Sequence, residues 1–111
     1  MGMKFDREVM KGHLQTIILA VLDDGPGHGY ALIQRIREKS QDIFSLTRGT
    51  LYPALHKLEA LGLVISTVEN QPKGPARRIY SLTVQGKKVL IENKRDWDYF
   101  SLGMNTLLKA R

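Results

Sequence analysis

The stretch Leu46-Thr47-Arg48-Gly49-Thr50-Leu51-Tyr52-Pro53-Ala54-Leu55-His56-Lys57-Leu58-Glu59-Ala60-Leu61, closed by Gly62, decides the fold. Leu51, Leu55, Leu58 and Leu61/Gly62 recur at helical spacing with Ala54 on the same side, so one stripe of a short helix faces a core. The other face carries Arg48, Thr50, Tyr52, Pro53, His56 and Lys57, a set of donors and an aromatic with no acid before Glu59. Pro53 lacks an N–H and crowds the preceding turn, so the helix begins just before it, with Thr47 or Thr50 as N-cap, or bends there. Gly62 supplies the C-terminal stop. A short helix with a donor-rich N-terminal half has the shape that enters a DNA major groove. The same segment also reads as a packing helix with an incidental polar face, and the flanking chain separates the two.

Upstream, Leu14, Ile17, Ile18, Val21 and Leu22 give a strongly apolar helix from about Val9 to Leu22, preceded by a polar segment, Met1–Glu8, that frays or adds an arm. Asp23-Asp24-Gly25-Pro26-Gly27 stops that helix. The paired acids have no third ligand nearby, so turn chemistry explains them better than a metal site. His28-Gly29-Tyr30 opens a second helix to about Lys39, with Tyr30, Ile33 and Ile36/Arg37 inward, Leu32 flanking, and Gln34, Arg35, Glu38 and Lys39 outward. Tyr30 reads as a core residue with a satisfied hydroxyl. Ile43 and Phe44 anchor the connection into Thr47–Leu61, completing a helix-turn-helix order.

Downstream the period changes from 3.6 to 2. Leu63–Val68 and Arg77–Thr83 read as strands around the turn-rich Asn70–Ala76 loop, a hairpin with a basic tip. Arg77 and Arg78 fall on opposite faces of their strand. Thr83 caps a last helix in which Gly86 is a weak point. Along that helix Val89, Asn93, Trp97, Phe100, Met104 and Leu107 recur at close to heptad spacing. A long apolar stripe after a complete small domain has nowhere within the chain to be buried, so pairing with a second copy is the economical solution. Gly103 weakens the helix by about 1 kcal/mol relative to Ala. The fold class is therefore mainly α with a small β-hairpin (α+β): a winged helix-turn-helix in residues 1–83 and a C-terminal dimerisation helix in residues 84–111.

Charge points to the partner. The 111 residues carry a net charge of +6, which favours polyanions. Between Asn70 and Ile91 stand Lys73, Arg77, Arg78, Lys87 and Lys88 without an acid, while acids gather at Asp23/Asp24 and around Glu92, Asp96 and Asp98. One end of the molecule is positive. The longest apolar run, Ile17–Leu22, is far too short to span a bilayer and no leader-type segment is evident, so a cytoplasmic protein without a membrane partner is expected.

Enzyme chemistry has no foothold. The chain lacks cysteine, and His13, His28 and His56 are isolated, without the spacing of a metalloprotease helix. No Ser sits in a nucleophile elbow, and Gly25–Gly29 follows a helix and not a strand, unlike a phosphate loop. Nothing calls for a metal or cofactor.

Three strings, Gly25-Pro26-Gly27-His28-Gly29-Tyr30, Gly49 through Glu59, and Gly74-Pro75-Ala76-Arg77-Arg78 leading into Tyr80-Ser81-Leu82-Thr83, resemble the PadR-type transcriptional regulators. The likeness covers about Leu14 to Trp97, and the Tyr-Pro inside the third helix is its most specific mark. With a single terminal helix, the chain is similar to the shorter subgroup. The resemblance implies a homodimeric winged helix-turn-helix, most often a repressor, that binds double-stranded DNA at a pseudo-palindromic operator. The third helix would enter the major groove and the wing would approach the adjacent backbone or minor groove. It also implies a dimer built from the first and last helices, which places Leu14 and Ile18 with Val89, Asn93, Trp97, Phe100, Met104 and Leu107 at the interface. Where many relatives carry an aromatic pair in the second wing strand, this chain has Ile79-Tyr80.

The candidate DNA-binding residues are thus Arg48, Thr50, Tyr52, Pro53, His56, Lys57, Lys73, Arg77 and Arg78. Arg48 and Thr50 are assigned phosphate or base-edge contacts, and Tyr52 a phosphate bond or apolar base contact, with partial burial beside the leucine stripe as its alternative. Lys57 suits a phosphate, and His56 reads equally as a solvated residue. Lys73, Arg77 and Arg78 give affinity through counterion release. Trp97, with Phe100 a turn on, either packs the dimer interface or walls a pocket for a small aromatic effector, as some short relatives do. The alternative function is a winged-helix module that binds protein or RNA, separable from duplex binding by its weaker salt dependence.

Overall fold

The computed structural model describes residues 12–109, so the expected polar arm and the helix start at Val9 lie outside the described residues. Helix α1 (Leu14–Leu22) is apolar on nearly every side, and Ile18, Leu19, Val21 and Leu22 are buried. A helix of that composition belongs at the centre of a domain, and α2, α3 and α4 all pack around it. This corrects one expectation: Ile18, assigned to the interface with a second copy, is 0% exposed and enclosed within its own subunit. Leu14 and Val89 are half-buried against the same core.

After the turn at Asp23–Pro26 come the two-residue strand β1 (Gly27–His28) and helix α2 (Gly29–Lys39). The phase of α2 differs from the expected one. Leu32 and Ile36 are buried, whereas Tyr30 is 52% exposed and its hydroxyl accepts from Gln34 Nε2. Arg35, expected outward, turns back instead. Its guanidinium donates to the carbonyls of Val21, Gly25 and Pro26 at 3.3, 2.8 and 3.2 Å, fastening α2 to the end of α1 and its turn. Past Lys39 the chain reverses through Gln41 and Asp42, both left-handed at φ 53° and 66°. Leu46, and not Ile43, is the buried anchor of the connection, with Phe44 half-buried beside it.

Helix α3 (Arg48–Ala60) begins at Thr47, whose side chain accepts from the Thr50 amide at 3.3 Å. It ends in a Schellman arrangement: Gly62 N–H reaches the Glu59 carbonyl, Leu63 N–H reaches the Leu58 carbonyl, and Leu63 and Leu58 are both buried. The wing follows as β2 (Val64–Glu69) and β3 (Arg77–Leu82), antiparallel, with Val64 opposite Leu82, Ser66 opposite Tyr80, and Val68 opposite Arg78. Strand β1 joins the other edge of β3, Gly27 opposite Tyr80 and His28 opposite Ile79, so the sheet has three strands in the order β1-β3-β2. The expected two-stranded hairpin lacked this third strand.

Helix α4 (Val84–Leu108) is capped by Thr83, whose hydroxyl oxygen accepts from the Gly86 amide at 2.9 Å. Its first two turns, with Gly86 and Leu90 buried, complete the core against α1; the remainder leaves the domain. At 25 residues it is about 37 Å long. No helix among the described residues is long and apolar enough to cross a membrane.

Gly86 marks a close approach, because a Cβ there would collide with the backbone carbonyl oxygen of Leu63. Backbone cannot yield as a side-chain tip can. Gly86→Ala is therefore expected to destabilise the protein by about 1–3 kcal/mol, the usual range for overpacking, read as a lowered urea midpoint. An unchanged midpoint would show that the α4–β2 corner has slack.

Candidate nucleic-acid interface

With Leu51, Leu55 and Leu58 turned into the core, α3 leaves Gly49, Pro53, His56, Lys57 and Ala60 on its exposed ridge, with Arg48 exposed at its start. Pro53 has no N–H to offer the carbonyl of Gly49, and both stand on this ridge. Thr50 is half-buried, and its hydroxyl oxygen accepts from the Thr47 hydroxyl at 3.3 Å, so it belongs to the cap as much as to the ridge.

Tyr52 lies on the flank of α3, half-buried against the core. Its hydroxyl and ring edge occupy the space where a Cβ would stand on Gly29. The His-Gly-Tyr and Leu-Tyr-Pro strings of the sequence are thus two halves of one contact, in which Gly29 admits the tyrosine ring between α2 and α3. Beside it, burial first, then the neighbouring Tyr52 and Glu59, hold the proton of the Tyr80 hydroxyl more tightly than usual, with Arg78 opposing.

The two wing arginines diverge as strand alternation requires. Arg78 shares the inner face with Tyr80 and Leu82, and its Nη1 donates to Ser66 Oγ at 3.1 Å. Ser66 in turn donates from Oγ to Glu59 Oε2 at 2.8 Å and from its amide to the same oxygen at 3.2 Å, tying β2 to α3. Arg77 lies on the outer face with its Nη1 3.0 Å from His28 Nε2. Lys73 stands exposed on the loop between the strands.

The ion pairs fall elsewhere. Arg37–Asp42, Lys39–Asp24 and Lys87–Asp23, at 3.3, 2.6 and 3.6 Å, neutralise cations around the ends of α1 and α2 and the start of α4. Arg48, Lys57 and Lys73 have no acidic partner among the described residues. Free cations on α3 and the wing, beside a ridge of small and polar side chains, match a polyanionic duplex.

Comparison with known proteins agrees with this geometry. Residues 18–92 match the transcriptional regulator PadR-like family. The chain belongs to that family. It is 38% identical over 89 residues to the transcriptional regulator Rv3488 of Mycobacterium tuberculosis, covering 80% of this chain and 79% of that protein. Among solved structures, a transcriptional regulator from Clostridium thermocellum superposes with a TM-score of 0.84 at 28% identity, covering 95% of this chain and 99% of the other. A PadR family transcription regulator from Clostridium difficile gives 0.77 at 33% identity, with 87% and 99% covered. The chain is thus a PadR-like transcriptional regulator with the winged-helix fold, and membership in such a family implies DNA binding and not catalysis.

Two residues near the wing, Arg35 and His28, have structural roles that sequence reasoning missed. The signal for His28 was its place immediately after a Gly-Pro-Gly turn, where an N-cap is needed: its Nδ1 accepts from the Ala31 amide at 3.3 Å. Burial, then the charges of Arg77 and Arg35, push the proton affinity of His28 below the usual 6.5, with Glu69 opposing weakly.

That shift sets a pH dependence. Below 6.5 the unfolded chain takes up a proton that folded His28 resists, so the unfolded state binds more protons and stability falls with falling pH. The contribution is intact above 6.5 and lost as pH drops through the lower folded value. His28→Asn keeps an oxygen to cap α2 and removes the titration. In melts from pH 8 to 5, wild type is expected to lose stability relative to His28→Asn only below 6.5. Parallel curves would contradict the assignment.

Proposed function

We propose that the protein is a homodimeric repressor acting in the cytoplasm, whose α3 and wing bind a pseudo-palindromic operator in double-stranded DNA. The observation that carries this reading is that Arg48 and Lys57 on α3 and Lys73 on the wing loop are exposed without an acidic partner among the described residues, in a PadR-like chain. On this reading Pro53, His56 and Lys57 meet base edges or phosphates from the ridge. Arg48 lies where the helix N-terminus adds its own attraction for phosphate. Tyr52 contributes by positioning α3 on Gly29 more than by reaching the duplex.

Dimerisation through residues 84–111 is supported by what α4 leaves uncovered. Trp97, Phe100, Met104 and Leu107 are exposed along one stripe of the projecting half, and Tyr99 and Leu102 beside it. A solitary helical segment of this length is marginal in water, and an apolar stripe of this size is a surface for association. A second copy supplies the missing cover and presents two α3 helices for grooves one turn apart, roughly 34 Å.

Trp97 meets the Phe100 ring in a tilted arrangement with centroids 5.7 Å apart and His13 edge-on at 5.4 Å. Such a half-exposed aromatic cluster suits a flat aromatic effector held between subunits. Occupancy there would shift the population between two spacings of the α3 helices, releasing the operator from one of them.

The test is a titration of DNA from upstream of the protein's own gene, at two salt concentrations with non-specific competitor. A discrete complex that survives competition and weakens steeply with salt is expected. Loss of the complex to competitor would leave only general polyanion affinity. Phe100→Asp, which puts a charge into the apolar stripe, is expected to shift sedimentation equilibrium from dimer towards monomer and weaken operator binding. A wild type that is monomeric at micromolar concentration would sink the dimer.

A further inference from the structure

The contact between His28 and Arg77 cannot be an ordinary hydrogen bond while α2 stays capped. A neutral imidazole carries one proton, and its two nitrogens are one donor and one acceptor. His28 Nδ1 accepts from the Ala31 amide at 3.3 Å, and the tautomer that keeps this cap carries its ring proton on Nε2. Nε2 then points an N–H at Arg77 Nη1, 3.0 Å away, and the guanidinium has only donors to offer. Two donors converge with no acceptor between them. The opposite tautomer would let Nε2 accept from Arg77 but would set Nδ1–H against the Ala31 amide and uncap the helix. An anionic oxygen placed beside both donors satisfies the whole arrangement.

The surroundings favour an anion. Arg35 on α2 and Arg77 on β3 are the cations facing His28, and Glu69 on β2 is the single acid whose charge it feels. Glu69 stands opposite Arg77 in the strand ladder but makes no ion pair with it. The first turn of α2 carries no acid, although that position attracts one at many helices. Arg77 stands at the loop end of the wing ladder, opposite Glu69, and His28 stands opposite Ile79 two residues along β3, just before Gly29, where Tyr52 joins α2 to α3.

We propose that His28 Nε2–H and the Arg77 guanidinium together hold one phosphate oxygen of the DNA backbone, at the junction of β1, α2 and the wing. The site rests on the DNA-binding reading and adds to it a phosphate clamp outside the recognition helix. His28 acts twice, as cap and as ligand: Nδ1 orients the ring and Nε2 uses that orientation. Because the contact is to backbone, it contributes affinity for any sequence and sets the register of the wing.

The test uses a labelled random-sequence duplex at low salt, with wild type, His28→Asn, Arg77→Gln and the double variant. His28→Asn keeps a capping oxygen, so its melting temperature at pH 8 should stay near that of wild type. Its duplex affinity should fall about tenfold, the usual effect of losing one bond to a charged group, with the salt slope unchanged because no cation is lost. Arg77→Gln should lose a similar factor and lower the slope by about one. The double variant should lose less than the product of the two, since both donors serve one oxygen. Nitrogen-15 spectra of the histidines should show the Nε2–H tautomer for His28 in the free protein, with its Nε2 resonance moving on addition of duplex. Inorganic phosphate at matched ionic strength should move it much less. A His28→Asn protein that binds like wild type, strictly multiplicative losses, or the Nδ1–H tautomer would each overturn the clamp. A wild type that binds no duplex would remove the DNA-binding reading and the clamp with it, whereas altered operator specificity alone would leave the clamp intact.

Discussion

Burial of the leucine stripe of α3 is the constraint from which the functional surface follows. Leu51, Leu55 and Leu58 can face only one way, and each, fully removed from water, is worth about 2 kcal/mol of burial. Rotating the helix by even one residue would expose part of that stripe. The ridge of Gly49, Pro53, His56, Lys57 and Ala60 is therefore exposed because of what lies on the opposite side. Tyr52 and Glu59 secure the flank, one through Gly29 and the other through Ser66, so α3 is held against both α2 and the wing.

Much of this was legible in the residues, and the reasons are specific. The leucine spacing of α3, the caps at Thr47 and Thr83, the stop at Gly62 and the alternation of Arg77 and Arg78 are local signals, and local signals survive folding. What stayed hidden was non-local. Strand β1 is two residues long and exists only because β3 offers an unpaired edge. The phase of α2 was ambiguous because Tyr30, Leu32, Ile33 and Ile36 allow two inward stripes, and only the packing of α1 chooses between them. Arg35 reads as a solvated cation until the carbonyls at the end of α1 come within its reach. Ile18 shows the same limit: an apolar helix reveals that it is buried, but not by which subunit. For the candidate interface, residue types were readable and their partners were not, which is why Tyr52 read as a DNA contact with partial burial as its alternative, and His28 only as the opening of the second helix.

The distribution of charge follows the same logic. Acids are placed where they compensate cations at the ends of α1 and α2, and are withheld from the exposed ridge of α3. Exposed pairs of this sort add little stability. Their consequence is local: they offset Arg37, Lys39 and Lys87, whereas Arg48, Lys57 and Lys73 have no acidic partner among the described residues.

The corner at Gly62 and Leu63 has a mechanical consequence. The Gly62 carbonyl accepts from the Thr83 hydroxyl at 2.7 Å, and the Leu63 carbonyl accepts from the Thr83 amide at 3.1 Å while resting against Gly86. The end of α3, the start of β2, the end of β3 and the first turn of α4 are thereby fastened at one point. Any shift of the first turn of α4 therefore reaches the end of α3 and the wing through the same few atoms, so the three elements share one point of leverage.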